Sequence, residues 1–277
     1  MTVRTDTIFI SITANGEKIK HGNEILTHSR SVGKTWRLLE ETTVIYVTGD
    51  THGEISRFHS PEMRKVKKGD TLIVCGDFGF IWDGGEKEEK NLKKLGAKKY
   101  NLLFLDGTHE NFDLLSRYPT ADWCGGKAQH ICGNLYHLLR GQVYEIEGKK
   151  IFTFGGGESP EKQIRMEVKK WWASEMPGLD EMRAGIDNLK AADMKVDYIF
   201  SHEPPPRVDV IIAPGKRREN KNQLEAFFGQ IAEKVGYRKW FFGSTHVDRK
   251  VTYKNISVFN LVVPVEEQPG KRRFLIK

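Results

Sequence analysis

Side chains that can bind a metal ion follow five apolar segments of this sequence. The five turns read Gly49-Asp50-Thr51-His52-Gly53, Gly76-Asp77-Phe78-Gly79, Gly107-Thr108-His109-Glu110, Ser201-His202-Glu203 and Gly243-Ser244-Thr245-His246. Carboxylate oxygens and imidazole nitrogens together suit zinc, iron or manganese, whereas magnesium and calcium prefer oxygen ligands alone. A glycine beside the ligand lets the backbone turn sharply and lets a substrate approach. The pattern therefore predicts a metal centre built from several turns.

Each turn taken alone has an ordinary structural explanation. A Gly-Asp pair after a strand commonly forms a turn or a helix cap, and a lone histidine in an apolar setting is usually a core residue. We give that structural interpretation to the other histidines of the chain, which are His21, His28, His59, His130 and His137. Two aspartates and four histidines that recur at five successive strand ends favour a shared site instead.

Short apolar segments alternate with amphipathic ones along most of the chain. Strands are predicted at 44–48, 71–75, 102–105, 150–154, 197–200, 239–242 and 256–263, and helices at 86–99, 161–173, 179–194 and 221–235. Between 128 and 154 strands follow one another with little helix, so mixed sheets are expected in this α/β chain. Ligands of open α/β sheets bind at the carboxyl ends of strands, which is where the five turns lie.

The first 43 residues differ from the rest in pattern. They contain one alternating segment from Thr7 to Ile12, a turn at Asn15-Gly16 and a polar stretch that ends in Trp36-Arg37-Leu38-Leu39. We therefore expect an extension of unknown role at 1–43 and a single larger domain at 44–277.

The composition is that of an ordinary globular protein. Its 277 residues, 38% of them hydrophobic and 29% charged, fit one large domain with an appendage and exclude a disordered or fibrous chain. No apolar run reaches the roughly 20 residues that a membrane crossing needs, and the amino terminus lacks a signal-peptide pattern. Three cysteines, an odd number, argue for a reducing compartment. These features predict a cytoplasmic protein with no membrane partner.

The net charge of +7 falls entirely on residues 201–277, which hold 15 Lys or Arg against 8 Asp or Glu. Two clusters, Lys216-Arg217-Arg218 and Lys271-Arg272-Arg273, are suited to attract anionic substrates or nucleic acid. No aromatic residues are interleaved with them, which favours solvated loops. Nucleic acid or a nucleotide therefore stays one hypothesis for the partner.

The five turns resemble the sequence blocks of the calcineurin-like metallophosphoesterases. That family carries GDxHG, GDxxG, GNHE, a histidine-bearing block and GHxH, and the blocks here read GDTHG, GDFG, GTHE, SHEPP and GSTH over roughly residues 44–263. GTHENFDLL at 107–115 and GGGES at 155–159 are similar to small bacterial or phage-type members without a capping domain. The resemblance implies an α-β-β-α sandwich of two mixed sheets flanked by helices, with a two-metal site that hydrolyses phosphate esters.

Carried over position by position, the resemblance implies two sets of ligands. The first metal would be held by Asp50, His52, Asp77 and His246. The second would share Asp77 and take His202, and its remaining ligands would fall at Thr108, where the family has Asn, and at Ser244, where it has His. Hydroxyls are neutral and weaker ligands than imidazole, so both departures predict a weakened second site.

The same resemblance implies a mechanism for phosphate-ester hydrolysis. A metal-bound hydroxide would attack phosphorus, and His109 would act as general acid for the leaving oxygen or stabilise charge on the phosphoryl group. Arg57 and the basic carboxy-terminal quarter are candidates for orienting the phosphate. Phe80 and Trp82 are candidates for stacking on a base or lining an apolar wall, although a buried aromatic cluster is the commoner role of such residues. The second block reads GDFGFIWDGG, without the arginine of the GDxVDRG block of protein Ser/Thr phosphatases, which argues against that subclass.

Several alternatives stay open at this point. The cofactor is one or two divalent ions of manganese, iron, zinc or nickel, and the substrate is a phosphomonoester or a phosphodiester. The weakened second site is consistent with a mononuclear enzyme or with a loosely held second ion. It is also consistent with a non-catalytic binding module that contacts nucleic acid or a protein partner.

Overall fold

The computed structural model describes residues 9–13, 16–21, 24–27, 37–39, 43–212 and 222–266. The chain divides into two compact units, Met1–Thr43 and Val44–Lys277. Both basic clusters of the sequence analysis, Lys216-Arg217-Arg218 and Lys271-Arg272-Arg273, lie outside the described residues.

The described residues of the first unit form an antiparallel sheet whose strands pair in chain order. Its strands are β1 (Phe9–Thr13), β2 (Gly16–His21), β3 (Glu24–Thr27) and β4 (Arg37–Leu39). The sequence predicted only one of these strands. The segment GEKIKH of β2 contains a single apolar residue, so pairing with its neighbours, and not apolar periodicity, defines it as a strand.

The second unit contains a seven-stranded mixed sheet in the order β17-β5-β6-β7-β10-β9-β8. Strands β5, β6, β7 and β10 are parallel neighbours, while β8, β9 and β17 pair antiparallel. The bounds are β5 (Ile45–Thr48), β6 (Thr71–Val74), β7 (Asn101–Phe104), β8 (Thr120–Trp123), β9 (Gly126–Cys132), β10 (Leu135–Leu138) and β17 (Val263–Pro264).

A six-stranded mixed sheet in the order β11-β12-β13-β14-β16-β15 packs against the seven-stranded sheet. Strands β12, β13, β14 and β16 run parallel, and β11 and β15 pair antiparallel at the two edges. The bounds are β11 (Gln142–Ile146), β12 (Lys149–Phe154), β13 (Tyr198–Ser201), β14 (Lys239–Phe242), β15 (Arg249–Lys250) and β16 (Asn255–Ser257).

The single strand predicted at 256–263 is wrong, because this segment contributes to both sheets. The Asp248 carboxylate accepts hydrogen bonds from the backbone amides of Phe259 at 2.8 Å, Asn260 at 3.0 Å and Leu261 at 3.2 Å. These bonds satisfy the backbone of a bend between β16 and β17. An apolar run does not reveal a bend that a carboxylate eleven or more residues away stabilises.

Helices cover the outer faces of the second unit. They are α1 (Glu86–Gly96), α2 (Phe112–Leu115), α3 (Lys162–Glu167), α4 (Leu179–Ala191), α5 (Val208–Ile212) and α6 (Gln223–Lys234), with 3-10 turns at Ile55–His59, Glu62–Lys65 and Ala173–Glu175. Among the described residues, every helix is too short or too polar to cross a membrane.

The structure confirms only the first half of the helix predicted at 161–173. The helix ends at Glu167, and Lys169 adopts a positive φ of 55°, which a continuing α-helix does not allow. The apolar Ile164 is 64% exposed, and the charged Arg165 is buried instead. The helical spacing of apolar residues was therefore misleading in this segment.

The core of the second unit has three apolar layers. Alternate residues of β6 point to opposite faces of their sheet, so Ile73 packs between the two sheets while Leu72 packs towards α1. On the outer face of the six-stranded sheet, Trp240 of β14 packs towards α4 and α6. The resulting order of helix, sheet, sheet and helix confirms the predicted α-β-β-α sandwich.

We expect that Phe200→Ala lowers the free energy of unfolding by about 3–5 kcal/mol, because it leaves a cavity between the sheets. Phe200 is fully buried and its ring stacks on Phe241 with 5.3 Å between centroids. Tyr253→Ala is the matched control, since Tyr253 is 76% exposed and its loss should change stability by no more than about 0.5 kcal/mol. Denaturant unfolding measures both, and equal effects would contradict this packing.

Candidate metal centre

The five ligand-bearing turns meet at one edge of the sandwich. Strands β5, β6 and β7 are parallel neighbours in one sheet, and β13 and β14 are parallel neighbours in the other, so each turn lies at a carboxyl end. His202 joins the two sheets, because its Nε2 lies 3.5 Å from Asp77 Oδ1 and its Nδ1 lies 3.9 Å from Asp50 Oδ1. The structure thus brings together the residues that the sequence singled out.

One group of converging ligand atoms contains Asp50, His52 and His246. His246 Nε2 lies 3.1 Å from His52 Nε2 and 3.0 Å from Asp50 Oδ2. Asp50 is fully buried, while the two imidazoles are partly exposed. Three ligand atoms that face one another beside solvent form a candidate cation site with one oxygen and two nitrogens.

A second group contains His52, Asp77 and His109. The Oδ2 atom of Asp77 lies 2.7 Å from His109 Nδ1 and 3.9 Å from His52 Nδ1, while its Oδ1 atom faces His202. One carboxylate oxygen of Asp77 therefore faces His52 and His109, and the other faces His202. Burial raises the pKa of Asp77, but the charge of His202 and the hydrogen bond from His109 outweigh burial and hold it well below its ordinary value.

His202 is buried among these carboxylates. Its Nδ1–H donates to the Cys75 carbonyl oxygen at 3.2 Å, which fixes the ring orientation and leaves Nε2 directed at Asp77. Burial lowers the pKa of His202, and Asp77 and Asp50 together outweigh burial and raise it to about 9. His202 thus supplies the positive charge that partly compensates two buried carboxylates.

Thr108 and Ser244 contact the carboxylates through their backbone amides. The amides of Thr108 and His109 donate to Asp77 Oδ1 at 2.6 and 2.8 Å, and the amide of Ser244 donates to Asp50 Oδ1 at 3.1 Å. The Thr108 hydroxyl lies farther from Asp77 Oδ1, at 3.5 Å. These backbone bonds are independent of the side chain that occupies either position.

Left-handed backbone conformations and close glycine contacts occur in the same turns. A Cβ atom at Gly107 would collide with Asp77 Oδ1, and one at Gly243 would collide with Asp50 Oδ1, so only glycine permits these approaches. Left-handed conformations are uncommon for other residues and cluster at functional sites. Four site residues adopt them, namely His52 (φ 46°), Asp77 (φ 43°), Ser244 (φ 60°) and His246 (φ 52°).

Glu110 and Arg57 support the backbone of these turns. The buried Glu110 carboxylate accepts the amides of Phe78 at 2.7 Å and Gly79 at 3.3 Å, as expected for a residue that orients a turn. The Arg57 guanidinium donates to the backbone oxygens of Asp50 at 3.0 Å and Phe259 at 2.5 Å. These bonds give Arg57 a structural role and leave its predicted contact with phosphate without geometric support.

A buried ionic network that the sequence does not predict lies directly before the third turn. Asp106 Oδ2 accepts a hydrogen bond from Arg140 Nε at 2.9 Å, and Asp106 Oδ1 lies 3.1 Å from His137 Nε2. Arg140 also donates to the Ser174 carbonyl at 2.8 Å. The network anchors the turn that carries Thr108 and His109, and nothing local in the sequence identifies partners about thirty residues away.

A cleft of about 370 Å³ opens beside His52 and His109. Trp82, which is half-buried, lines it. Phe80 also borders the cleft, but it is only 2% exposed and its ring packs against Phe58 and Phe78. Of the two predicted stacking residues, Trp82 is therefore the one with surface available in the cleft.

A family model for calcineurin-like phosphoesterases matches residues 43–248. The chain belongs to the calcineurin-like phosphoesterase family. The resemblance carried by the five sequence blocks is thereby confirmed. Members of this phosphoesterase family use divalent metals, and the two groups of converging ligand atoms are the candidate sites for them in this chain.

Two solved structures are similar to this phosphoesterase at low identity. One is phosphopantetheinyl hydrolase from Mycobacterium tuberculosis, with 13% identity, a TM-score of 0.41 and coverage of 84% of this chain and 99% of that chain. The other is a putative 5'-nucleotidase from Staphylococcus aureus in complex with alpha-ketoglutarate, with 10% identity and a TM-score of 0.42. That match covers 84% of this chain and 56% of the other. No curated protein matches the chain.

We expect that Asp106→Asn lowers the free energy of unfolding at pH 7 by about 3 kcal/mol, because it leaves the buried Arg140 guanidinium without its main partner. Burial raises the pKa of Asp106, but Arg140 and His137 outweigh burial and hold it below its ordinary value of about 4. The stabilisation is therefore fully present at neutral pH, begins to decrease as the pH falls below about 4, and is lost completely only below the depressed pKa of Asp106.

Denaturant unfolding of the wild type and of Asp106→Asn at pH 7 and pH 3 measures this difference. Asp122→Asn is the matched control, since that carboxylate is 86% exposed and pairs only with Lys127 among the contacts described. A loss from Asp106→Asn that is equal at both pH values would contradict the charge-based explanation.

Proposed function

We propose that this phosphoesterase hydrolyses phosphate esters with a divalent transition metal bound by Asp50, His52, Asp77 and His246. The observation that carries the proposal is the approach of His246 Nε2 to both His52 Nε2 and Asp50 Oδ2, at 3.1 and 3.0 Å. Two imidazole nitrogens and a carboxylate oxygen that point at one another favour a shared cation. Mixed nitrogen and oxygen ligands suit manganese, iron, zinc or nickel.

The buried charges of the site also support a bound cation. Asp50 and Asp77 are 0% and 3% exposed, and burying a carboxylate is costly unless opposite charge and hydrogen bonds compensate it. The amides and His202 provide part of that compensation. A divalent ion would complete it and would use ligand atoms that already face the solvent-exposed side of the edge.

The roles of the protein groups follow from their contacts. When bound, the metal lowers the pKa of a water molecule and polarises the phosphoryl group. His109 Nδ1 is held by Asp77 Oδ2 at 2.7 Å, so its Nε2 is directed away from that carboxylate. The imidazole is about one-third exposed and borders the cleft. His109 is thus suited to hold a proton at Nε2 for the leaving oxygen.

We propose that the chain binds one ion firmly and a second ion weakly or not at all. On the side of the second site, Asp77 Oδ1 already accepts two backbone amides, from Thr108 and His109. A carboxylate oxygen with two such bonds has little capacity left for a metal. The hydroxyls of Thr108 and Ser244 offer only weak ligands in place of the family's amide and imidazole.

We expect turnover of p-nitrophenyl phosphate or bis-p-nitrophenyl phosphate in the presence of manganese, nickel or zinc. Asp77→Asn and His109→Ala should each lower kcat/KM by roughly 100-fold or more, because the first removes a ligand charge and the second removes the general acid. Asp122→Asn and His59→Ala are matched controls at exposed positions.

Steady-state kinetics with each metal, together with circular dichroism of every variant, measure these effects. Turnover that persists after removal of all metal would contradict the metal-dependent mechanism. An absence of turnover with every metal and both esters would favour the alternative of a non-catalytic binding module.

We expect that the combined change Thr108→Asn and Ser244→His raises the metal content from near one to near two ions per chain. Both substitutions restore ligand types of the family. The backbone at Ser244 is left-handed, and histidine is among the residues that tolerate this conformation. Elemental analysis after gel filtration gives the stoichiometry, and Thr108→Val is the control that removes the hydroxyl. Two firmly held ions in the unmodified protein would refute the weakened second site.

A further inference from the structure

We propose that the cleft beside the metal centre binds the base of a nucleotide substrate and that Trp82 is its stacking surface. The inference rests on the proposed function, because the cleft opens on His52 and His109 and its occupant would be the leaving group of the ester. In the hydrolysis, the water oxygen forms a new bond to phosphorus while the bond from phosphorus to the nucleoside oxygen breaks. That oxygen takes up a proton, and inorganic phosphate and a nucleoside are the products of a monoester.

The position and size of the cleft suit a single nucleoside. Its volume of about 370 Å³ lies near the lower limit for small-molecule sites, so it suits one base with its sugar. His52 and His109 belong both to this cleft and to the candidate metal centre. A phosphate held at the metal centre therefore places its ester group at the mouth of the cleft.

The backbone at Trp82 is fixed before any ligand arrives. The Glu88 carboxylate accepts the backbone amides of Trp82 at 2.8 Å, Asp83 at 2.9 Å and Gly84 at 3.2 Å. Asn111, which follows the turn of His109, donates its side-chain amide to the Trp82 carbonyl at 2.7 Å. The tryptophan is thereby held in a defined position relative to the catalytic turn, which reduces the entropy cost of binding.

The indole ring also contacts α3 and the segment that follows it, and Arg165 Cζ of α3 lies 5.7 Å from the ring centroid. The ring of Trp172 contacts it edge to face at 5.8 Å, and Lys170 Nζ lies over it at 5.4 Å from the centroid. Trp172 is itself anchored by a hydrogen bond from its Nε1 to Asp113 Oδ2 at 2.8 Å. Trp82 nonetheless remains half-buried and lines the cleft, so part of a rigid aromatic surface is left open to a ligand.

The other cleft residues favour a base over an aliphatic or simple sugar group. Asp83, Lys87 and Asn91 line the same cleft and offer an acceptor, a donor and an amide with both functions. A nucleobase combines a planar face that stacks on aromatic rings with an edge of donors and acceptors. An aliphatic alcohol would use neither feature, and a sugar phosphate alone would leave the indole surface uncovered.

The test compares AMP with ribose 5-phosphate, and the methyl esters of both, using the metal-loaded full chain. Each pair has the same reacting phosphate and differs only in the base. We expect kcat/KM to be at least roughly tenfold higher for the member with the base, and Trp82→Ala to remove most of that ratio. Trp82→Phe should keep most of it, and Tyr253→Ala, at a position 76% exposed, should leave it unchanged.

The outcomes separate this inference from the proposed function. Equal kcat/KM within each pair, or a ratio that Trp82→Ala does not reduce, would overturn the stacking site while phosphoesterase activity stands. The same conclusion follows if p-nitrophenyl esters are hydrolysed and neither pair is. If no ester is hydrolysed with any metal, the proposed function fails and the inference fails with it. Circular dichroism of Trp82→Ala and the Trp82→Phe variant guard against a loss that is due to misfolding.

Discussion

The burial of two carboxylates, Asp50 and Asp77, is the constraint around which this edge of the sandwich is organised. A buried carboxylate without partners costs several kcal/mol, so the surrounding groups must offset that cost. Three backbone amides from two turns and the imidazole of His202 do so in part. These donors come from both sheets. The two sheets must therefore keep their relative position for the hydrogen bonds and the positive charge to compensate the buried carboxylates.

This constraint explains why positions 108 and 244 depart from the family pattern without disturbing the local structure. Each position serves the carboxylates through its backbone amide, and any residue except proline retains that amide. The glycine before each of them, Gly107 or Gly243, permits the close approach. A change of side chain therefore alters the ligands available to a cation, while the hydrogen bonds that hold Asp50 and Asp77 persist.

The sequence predicted the features that depend on local pattern. Strand ends with ligand-type residues were recognisable because parallel strands are short apolar runs and their turns carry glycine. The division of 256–263 was not recognisable, since it depends on the remote Asp248 carboxylate. Asp106 and Arg140 likewise lie 34 residues apart and meet only in the folded chain. Residues 161–173 show the opposite error, because apolar residues recur at helical intervals but the helix ends at Glu167, with Arg165 buried and Ile164 exposed.

The candidate metal centre and the cleft beside it are formed by different kinds of structure in this chain. The candidate metal ligands follow the ends of central strands, whose positions are fixed by the pairing of both sheets. The cleft, by contrast, is bordered by the turn at residues 82–85 and by α1, and the segment that follows α3 contacts Trp82. A change in these loops can reshape the cleft without moving Asp50 or Asp77. The link between the two parts is Asn111, which binds the Trp82 carbonyl two residues after His109. In the proposed function, recognition of the leaving group would thereby be coupled to His109, the residue proposed to protonate it.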